Sequence, residues 1–231
     1  MEADWEVEIG GGAPIIDACW PGLIHLQSAP KRAAELPEAA DLPGLAEALV
    51  RLNGSRSPVW TSKCDVWPVL DATDIDAGEL DAPQEEATFA WACYIDLVPL
   101  NGSWPSLATE EPGSWVGRGF IPGVRATKST RPLGPEVCFP PPSHSPKFRG
   151  LSAARLTDAA AQWCQQLRSV PLTHCRADLI IRQAIIAPDQ MDHGVTAYLT
   201  ACGRTSEEAN ATLARALEAF ANTLCPDSTV E

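Results

Sequence analysis

Arg118, Arg125, Lys128 and Arg131 fall within fourteen residues that hold no acid. Gly117, Gly119 and Gly123 permit close backbone approach among them, and Thr127, Ser129 and Thr130 add hydroxyls. Cationic donors beside unencumbered backbone N–H groups suit a phosphate or a carboxylate. The stretch is not a Walker A loop, because the Gly-Lys-Ser/Thr ending is absent. A plainer reading is a solvated loop that offsets the protein's own acidic surface.

A second set of polar residues alternates along strand-like runs. Cys175, Ala177, Leu179 and Ile181 fall on one side of their run, and His174, Arg176, Asp178 and Arg182 fall on the other. Tyr198, Thr200 and Arg204 have the same phase on the returning run, opposite Val195, Ala197, Leu199 and Ala201. An earlier pair of runs places Lys63, Asp65, Tyr94 and Asp96 outward and Phe89, Trp91, Ile95 and Leu97 inward. Glu6 and Glu8 extend the polar set from the N-terminal strand. Such a face offers Asp65, Asp96, Asp178 and His174 as acid–base candidates. Arg176, Arg182 and Tyr198 are candidates for holding an anionic ligand. Half-solvated antiparallel sheets also carry cross-strand ion pairs with no ligand at all.

Other chemistries find little support. Residues 71–86 hold seven acids and no base, but their spacing lacks the glycine and glutamate positions of an EF-hand. Like-charge runs of this kind are usually solvated tips. The eight cysteines include no Cys-x-x-Cys pair, so zinc-ribbon and thioredoxin readings lack their signature. Several sit between apolar residues, where cysteine behaves as a small hydrophobe. His174 and Cys175 are adjacent, and adjacent strand residues point apart. No Gly-x-Ser-x-Gly, His-Glu-x-x-His or Gly-x-Gly-x-x-Gly occurs. No metal or cofactor is expected.

The elements that must position these groups follow from composition and period. The chain has 231 residues and a formal net charge of −13, which argues against nucleic-acid and anionic-membrane partners. The run from Pro14 to Ile24 is short and carries Asp17, unlike a signal peptide or a membrane span, so a cytoplasmic protein is expected. DWEVEI reads as a strand. Leu45, Leu49 and Leu52 mark a helix over 42–52, and residues 152–169 form another. Residues 58–69 with 87–98, and 172–186 with 194–203, read as two hairpins. Thr205 and Glu208 have capping-box spacing ahead of the stripe Ala209, Leu213, Leu217, Phe220 and Leu224.

Helix-then-hairpin occurs twice. Pro58 answers Pro171, Thr61 answers Thr173, Cys64 answers Cys175 and Cys93 answers Cys202. The expected fold is α+β: a two-layer sandwich of mostly antiparallel sheet with helices on one face, internally duplicated, with two ferredoxin-like halves as one form of it. Residues 1–99 make the first half, 100–150 a Pro/Gly-rich basic loop, and 151–231 the second half, within one compact domain. The leading expectation is a module that binds a small anionic ligand, or a partner subunit in a homo-oligomer, on the polar sheet face under the basic loop. An enzyme using the same groove and a structural oligomerising subunit are the alternatives.

Overall fold

The computed structural model describes residues 1–8, 14–16, 24–71, 74–100, 153–187 and 190–226. The basic stretch with Arg118, Arg125, Lys128 and Arg131 lies outside the described residues, as does the rest of the 101–150 segment. The fold is α+β. Strand β1 (Glu2–Val7) and the short β2 (Ile15–Ile16) precede helices α1 (Pro37–Asp41) and α2 (Pro43–Leu52). The hairpin β3 (Val59–Val69) and β4 (Phe89–Pro99) follows, then α3 (Ala153–Arg168). The second hairpin, β5 (Cys175–Ala187) and β6 (Gln190–Gly203), leads into α4 (Ser206–Leu224).

All the strands belong to one mixed sheet in the order β1-β5-β6-β4-β3, with β2 also pairing β5. Both expected hairpins are present, joined antiparallel through β4 and β6. The departure from an antiparallel sheet is at one edge, where β1 and β2 run parallel to β5. Parallel neighbours need a long crossover, and here the chain passes through both hairpin helices and the first hairpin between β1 and β5.

Alternation decides which face the helices cover. Cys93, Ile95 and Leu97 of β4, Val195 to Ala201 at odd numbers on β6, and Cys175, Ala177, Leu179 and Ile181 of β5 are buried in one cluster. The same cluster takes Leu45, Leu49 and Leu52 of α2, Leu156, Ala160 and Leu167 of α3, and Leu213, Leu217, Phe220 and Leu224 of α4. The three longer helices therefore share one face. Helix α4 starts as its spacing implies: Glu208 N–H donates to Thr205 Oγ1 at 3.2 Å, while Glu208 Oε2 accepts from Arg204 N–H at 3.0 Å. Gly44 of α2 lets that helix approach α4 closely, since a Cβ there would lie 2.9 Å from Ala214 Cβ.

Three expectations need correction. Cys93 lies under the helices, but Cys202 faces the other side, clustered with Ile75, Leu80 and Ala90. Cys64 sits opposite Ile95, two residues from Cys93, whereas Cys175 sits opposite Ala201, one residue from Cys202. That odd offset puts Cys93 and Cys202 on opposite faces, whereas Cys64 and Cys175 both pack under the helices. Thr61 is inside β3, whereas Thr173 precedes β5. Residues 1–99 give β1, β2, α1, α2 and one hairpin, and residues 151–231 give α3, one hairpin and α4, with all these strands in one sheet. Finally, β5 and β6 run farther than the apolar pattern implies, because Met191, Asp192 and His193 pair with Ile185, Ala184 and Gln183. Backbone pairing does not need buried side chains, and Met191 is exposed.

The face away from the helices is closed at each end. Ile75, Ala77, Leu80 and Ala87 of the β3–β4 connection cover Ala90 and Cys202. Ile15, Trp60, Val98 and Ala184 make the other closure. Gly194 is required there: a Cβ would lie 2.6 Å from the Leu97 carbonyl oxygen and 2.7 Å from Ile15 Cδ1. Gly194→Ala is expected to cost about 1–3 kcal/mol by overpacking. Gly78→Ala, whose Cβ would meet only Asp76 Oδ1 at 3.3 Å, should change stability by less than about 0.5 kcal/mol. Urea unfolding of both variants checks this, and equal midpoints would refute the close approach.

Candidate functional site

Between the two closures the open face is organised as cross-strand rows, because registered partners share a side of the sheet. The central row runs Asp65, Tyr94, Tyr198, Asp178 and Asp4 across β3, β4, β6, β5 and β1. On one side of it lie Trp67, Ala92, Thr200, Arg176 and Glu2. On the other lie Asp96, Thr196, Ile180 and Glu6. Arg182 follows one step further on, opposite Gly194. Three of the four acid–base candidates and all three sheet ligand candidates thus share the face expected from alternation.

Aromatic rings occupy its centre. Trp67 and Tyr94 have ring centroids 6.2 Å apart at a 52° tilt, and Tyr94 and Tyr198 lie 6.0 Å apart at 47°. These are tilted contacts within the favoured centroid range. Tyr94 and Tyr198 are the chain's two tyrosines. Burial, with Asp96 and Asp65 adding their negative charge, raises the Tyr94 phenol's pKa.

Asp96 is the buried acid of the face, 8% exposed. Thr196 Oγ1 donates to its Oδ1 at 2.6 Å. Burial raises its pKa above the ordinary 3.8, partly opposed by that hydrogen bond and by the positive charges of Lys63 and Arg182. A carboxyl that keeps its proton to higher pH is a common feature of acid–base sites and of structural networks alike.

The sheet arginines are already partnered. Arg176 donates from Nε to both oxygens of Asp178, at 2.8 and 2.9 Å, and a second guanidinium nitrogen lies 2.8 Å from Oδ1. Arg182 faces Glu8 at 3.0 Å, with an alignment too poor for a hydrogen bond, and its Nε is buried without a hydrogen-bond partner. A buried orphan donor is a place where an acceptor would be stabilised. Arg176 is thus committed to Asp178 through its Nε and one terminal nitrogen, whereas the Nε of Arg182 has no hydrogen-bond partner.

His174 belongs elsewhere. It lies beyond the acidic connection's closure, with a positive φ of 63°. Its Nε2 is 2.8 Å from Glu86 Oε2 and its Nδ1 2.8 Å from Thr173 Oγ1. Arg204 holds the other oxygen of Glu86. Both hydrogen bonds, that of His174 first, lower the Glu86 pKa. These groups border a shallow cleft of about 340 Å³ with Cys202, Glu208, Thr212 and Arg215. The residue before β5 is turned by its left-handed backbone, which alternation along an extended run does not foresee. Glu86 was missed as a site residue because its partners lie 88 and 118 positions away in sequence.

The described cysteines are free thiols: Cys64, Cys93, Cys164, Cys175, Cys202 and Cys225. Burial is the leading cause of a raised pKa at each of them. It pushes Cys64 and Cys164 up to about 12 and Cys202 up to about 11. Reaction requires the thiolate, so these are poor nucleophiles. Among the described residues no group of three His, Cys, Asp or Glu is placed to hold a metal ion. No helix among them is long and apolar enough to cross a membrane. Comparison with protein families, curated proteins and solved structures finds no match to this chain.

Two outcomes follow from this chemistry. Iodoacetamide at pH 8 should leave Cys93, Cys164, Cys175 and Cys202 unmodified in the native protein and label all four in denaturant. Rapid native labelling of any of the four, mapped by mass spectrometry, would overturn the burial account. For Asp96 the raised folded pKa means its protonated form is favoured by folding. Its stability contribution is full below 3.8 and lost as pH rises through the folded value. Asp96→Asn retains an acceptor for Thr196 but cannot ionise. It is expected to exceed wild type in stability at pH 7, by a margin that shrinks toward pH 3.8. A margin independent of pH in urea unfolding would show that Asp96 is not perturbed.

Proposed function

We propose that this protein is a binding module, and that a small ligand or a partner subunit seats on the open sheet face between the two apolar closures. The observation that carries this reading is the aromatic cluster at the centre of the face: two tyrosines of the central row and Trp67 of the next row in contact, flanked by carboxylates, on a face that the helices leave uncovered. Aromatic rings on a solvated sheet side present recognition surface at low entropic cost, and exposed aromatic clusters mark interaction sites more often than plain surface does. The anionic-ligand form of the reading draws support from the orphan Nε of Arg182. It also rests on Arg118, Arg125, Lys128 and Arg131, which lie outside the described residues. The partner-subunit form would make the same face an oligomer interface.

An enzyme is the second reading, and a particular observation favours it: Asp96 combines burial with a raised pKa beside an aromatic row. In that reading Asp96 is the acid and Tyr198 the neighbouring hydroxyl. The duplication is retained as a proposal about topology alone. Its support is the order β3-β4-β6-β5, in which the two hairpins meet antiparallel, rather than the matched residues.

The test uses the tyrosines as reporters. With selectively 13C-labelled tyrosine, the whole chain carries two ring signals, both from this face. A panel of phosphate, succinate, alkylammonium and methylguanidinium salts at matched ionic strength is expected to include at least one compound that shifts both signals saturably. Arg125→Ala with Lys128→Ala would abolish an anion's effect if the basic segment takes part. Concentration-dependent broadening of both signals, with self-association in sedimentation, would assign the face to an oligomer. If no compound shifts either signal and sedimentation shows a monomer throughout, the face is solvated surface and the proposal fails.

A further inference from the structure

We propose that Trp67, Tyr94 and Tyr198 form a receptor for an alkylated ammonium group of a small molecule, with Asp65 supplying the countercharge. This rests on the open face being the ligand seat and adds the chemistry of the ligand. The three rings come from adjacent strands and are fixed by register: Tyr94 is paired with both Asp65 and Tyr198, and Trp67 is two positions from Asp65 on the same side. Their successive centroid separations of 6.2 and 6.0 Å place each pair within the span over which one cation can contact two rings. All three side chains are partly exposed, as are Asp65 and Asp178.

The negative charges of Asp96 and Asp65 both act on Tyr94, while the positive charges of Lys63 and Arg182 act on Asp96. Asp65 and Asp178 terminate the tyrosine pair on either side, and Asp96 lies one row away on the same strand as Tyr94. The raised pKa of Tyr94 keeps its ring neutral, so its contribution is that of a π face and a hydroxyl. The nearest guanidinium, Arg176, is neutralised by Asp178 through two Nε hydrogen bonds. The cluster therefore combines ring quadrupoles with the negative charge of Asp65, the pairing used to recognise weakly hydrated organic cations.

The geometry selects among cations. Asp65 and Asp178 stand at opposite ends of a row that spans three strand spacings, about 14 Å. They do not converge on a common point, so a metal ion that needs several oxygen ligands is not accommodated. Between them lie the tilted, partly exposed rings of Tyr94 and Tyr198, apolar surface that suits the methyl groups of a quaternary ammonium and not the water shell of a primary one. The size of the ligand follows from the closures. The apolar clusters around Ala90 with Cys202, and around Val98 with Ala184, bound the strip at both ends. Three rows two residues apart leave about 14 Å between them along the strands, room for a small molecule.

The experiment titrates choline into the full-length chain carrying 13C-tyrosine, against sodium chloride at equal ionic strength. Its neutral carbon isostere, 3,3-dimethyl-1-butanol, provides the decisive comparison. Both tyrosine signals should move saturably with choline, and the isostere should bind at least tenfold more weakly. Trp67→Ala and Asp65→Asn should each weaken choline at least fivefold, with native circular dichroism confirming that the variants fold. A trimethyllysine peptide forms a further arm: tighter binding than choline upholds the ammonium chemistry and moves its source to a polypeptide. Equal binding of choline and the isostere, or no saturation by choline, overturns the inference. In that case a saturable response to phosphate or succinate leaves the binding-module reading standing, whereas silence across all compounds removes both.

Discussion

The β4–β6 ladder is the constraint on which the rest of the molecule depends. Its register pairs Cys93 with Leu199, Ile95 with Ala197 and Leu97 with Val195. All six are buried beneath the helices. Because side chains alternate, the same register forces Tyr94, Asp96, Thr196 and Tyr198 to the opposite side. A slip of one residue would bury those four polar side chains and expose the apolar ones, so the alternatives are strongly disfavoured. Core formation and construction of the polar face are one event. Neither hairpin could change its register without losing both.

That coupling explains the tension at Asp96. The residue sits buried in the ladder, and desolvation works against its charged form. Thr196, its registered partner, offsets part of the penalty through a 2.6 Å hydrogen bond. A threonine and a carboxylate in place of two apolar residues is a local cost that a sheet built only for stability would not carry. Such departures concentrate where a protein does something besides fold.

The closures show how the open face is kept from being a bare sheet. The acidic β3–β4 connection turns Ile75, Ala77 and Leu80 down onto Ala90 and Cys202, while Asp74, Asp76, Asp81 and Glu85 stay exposed. Glu86 then ties the connection's end to His174 and Arg204. At the other end Ile15 crosses over Gly194, where no side chain larger than hydrogen fits. What remains between, apart from Ala92 and Ile180, is polar and aromatic, three rows deep.

Sequence alone was sufficient for the parts governed by local period. The helices α2, α3 and α4, the four hairpin strands and the two sides of each strand are legible because an apolar stripe at 3.6 residues, or alternation at 2, is a property of neighbouring residues. So is the Thr205 cap of α4. The pairing of Arg176 with Asp178 lies within one strand at i and i+2, and was hidden only by the assumption that both would serve a ligand. Tertiary structure decided everything that depends on which strand lies beside which. The parallel seating of β1 against β5, the contact of Tyr94 with Tyr198 across 104 positions, and the bond between His174 and Glu86 across 88 have no local signature. The failed cysteine match has the same origin: Cys93 and Cys202 look equivalent along the chain, but a single residue of register puts them on opposite faces. Sequence records what each strand presents to either side, whereas only the folded sheet determines which side chains share a row.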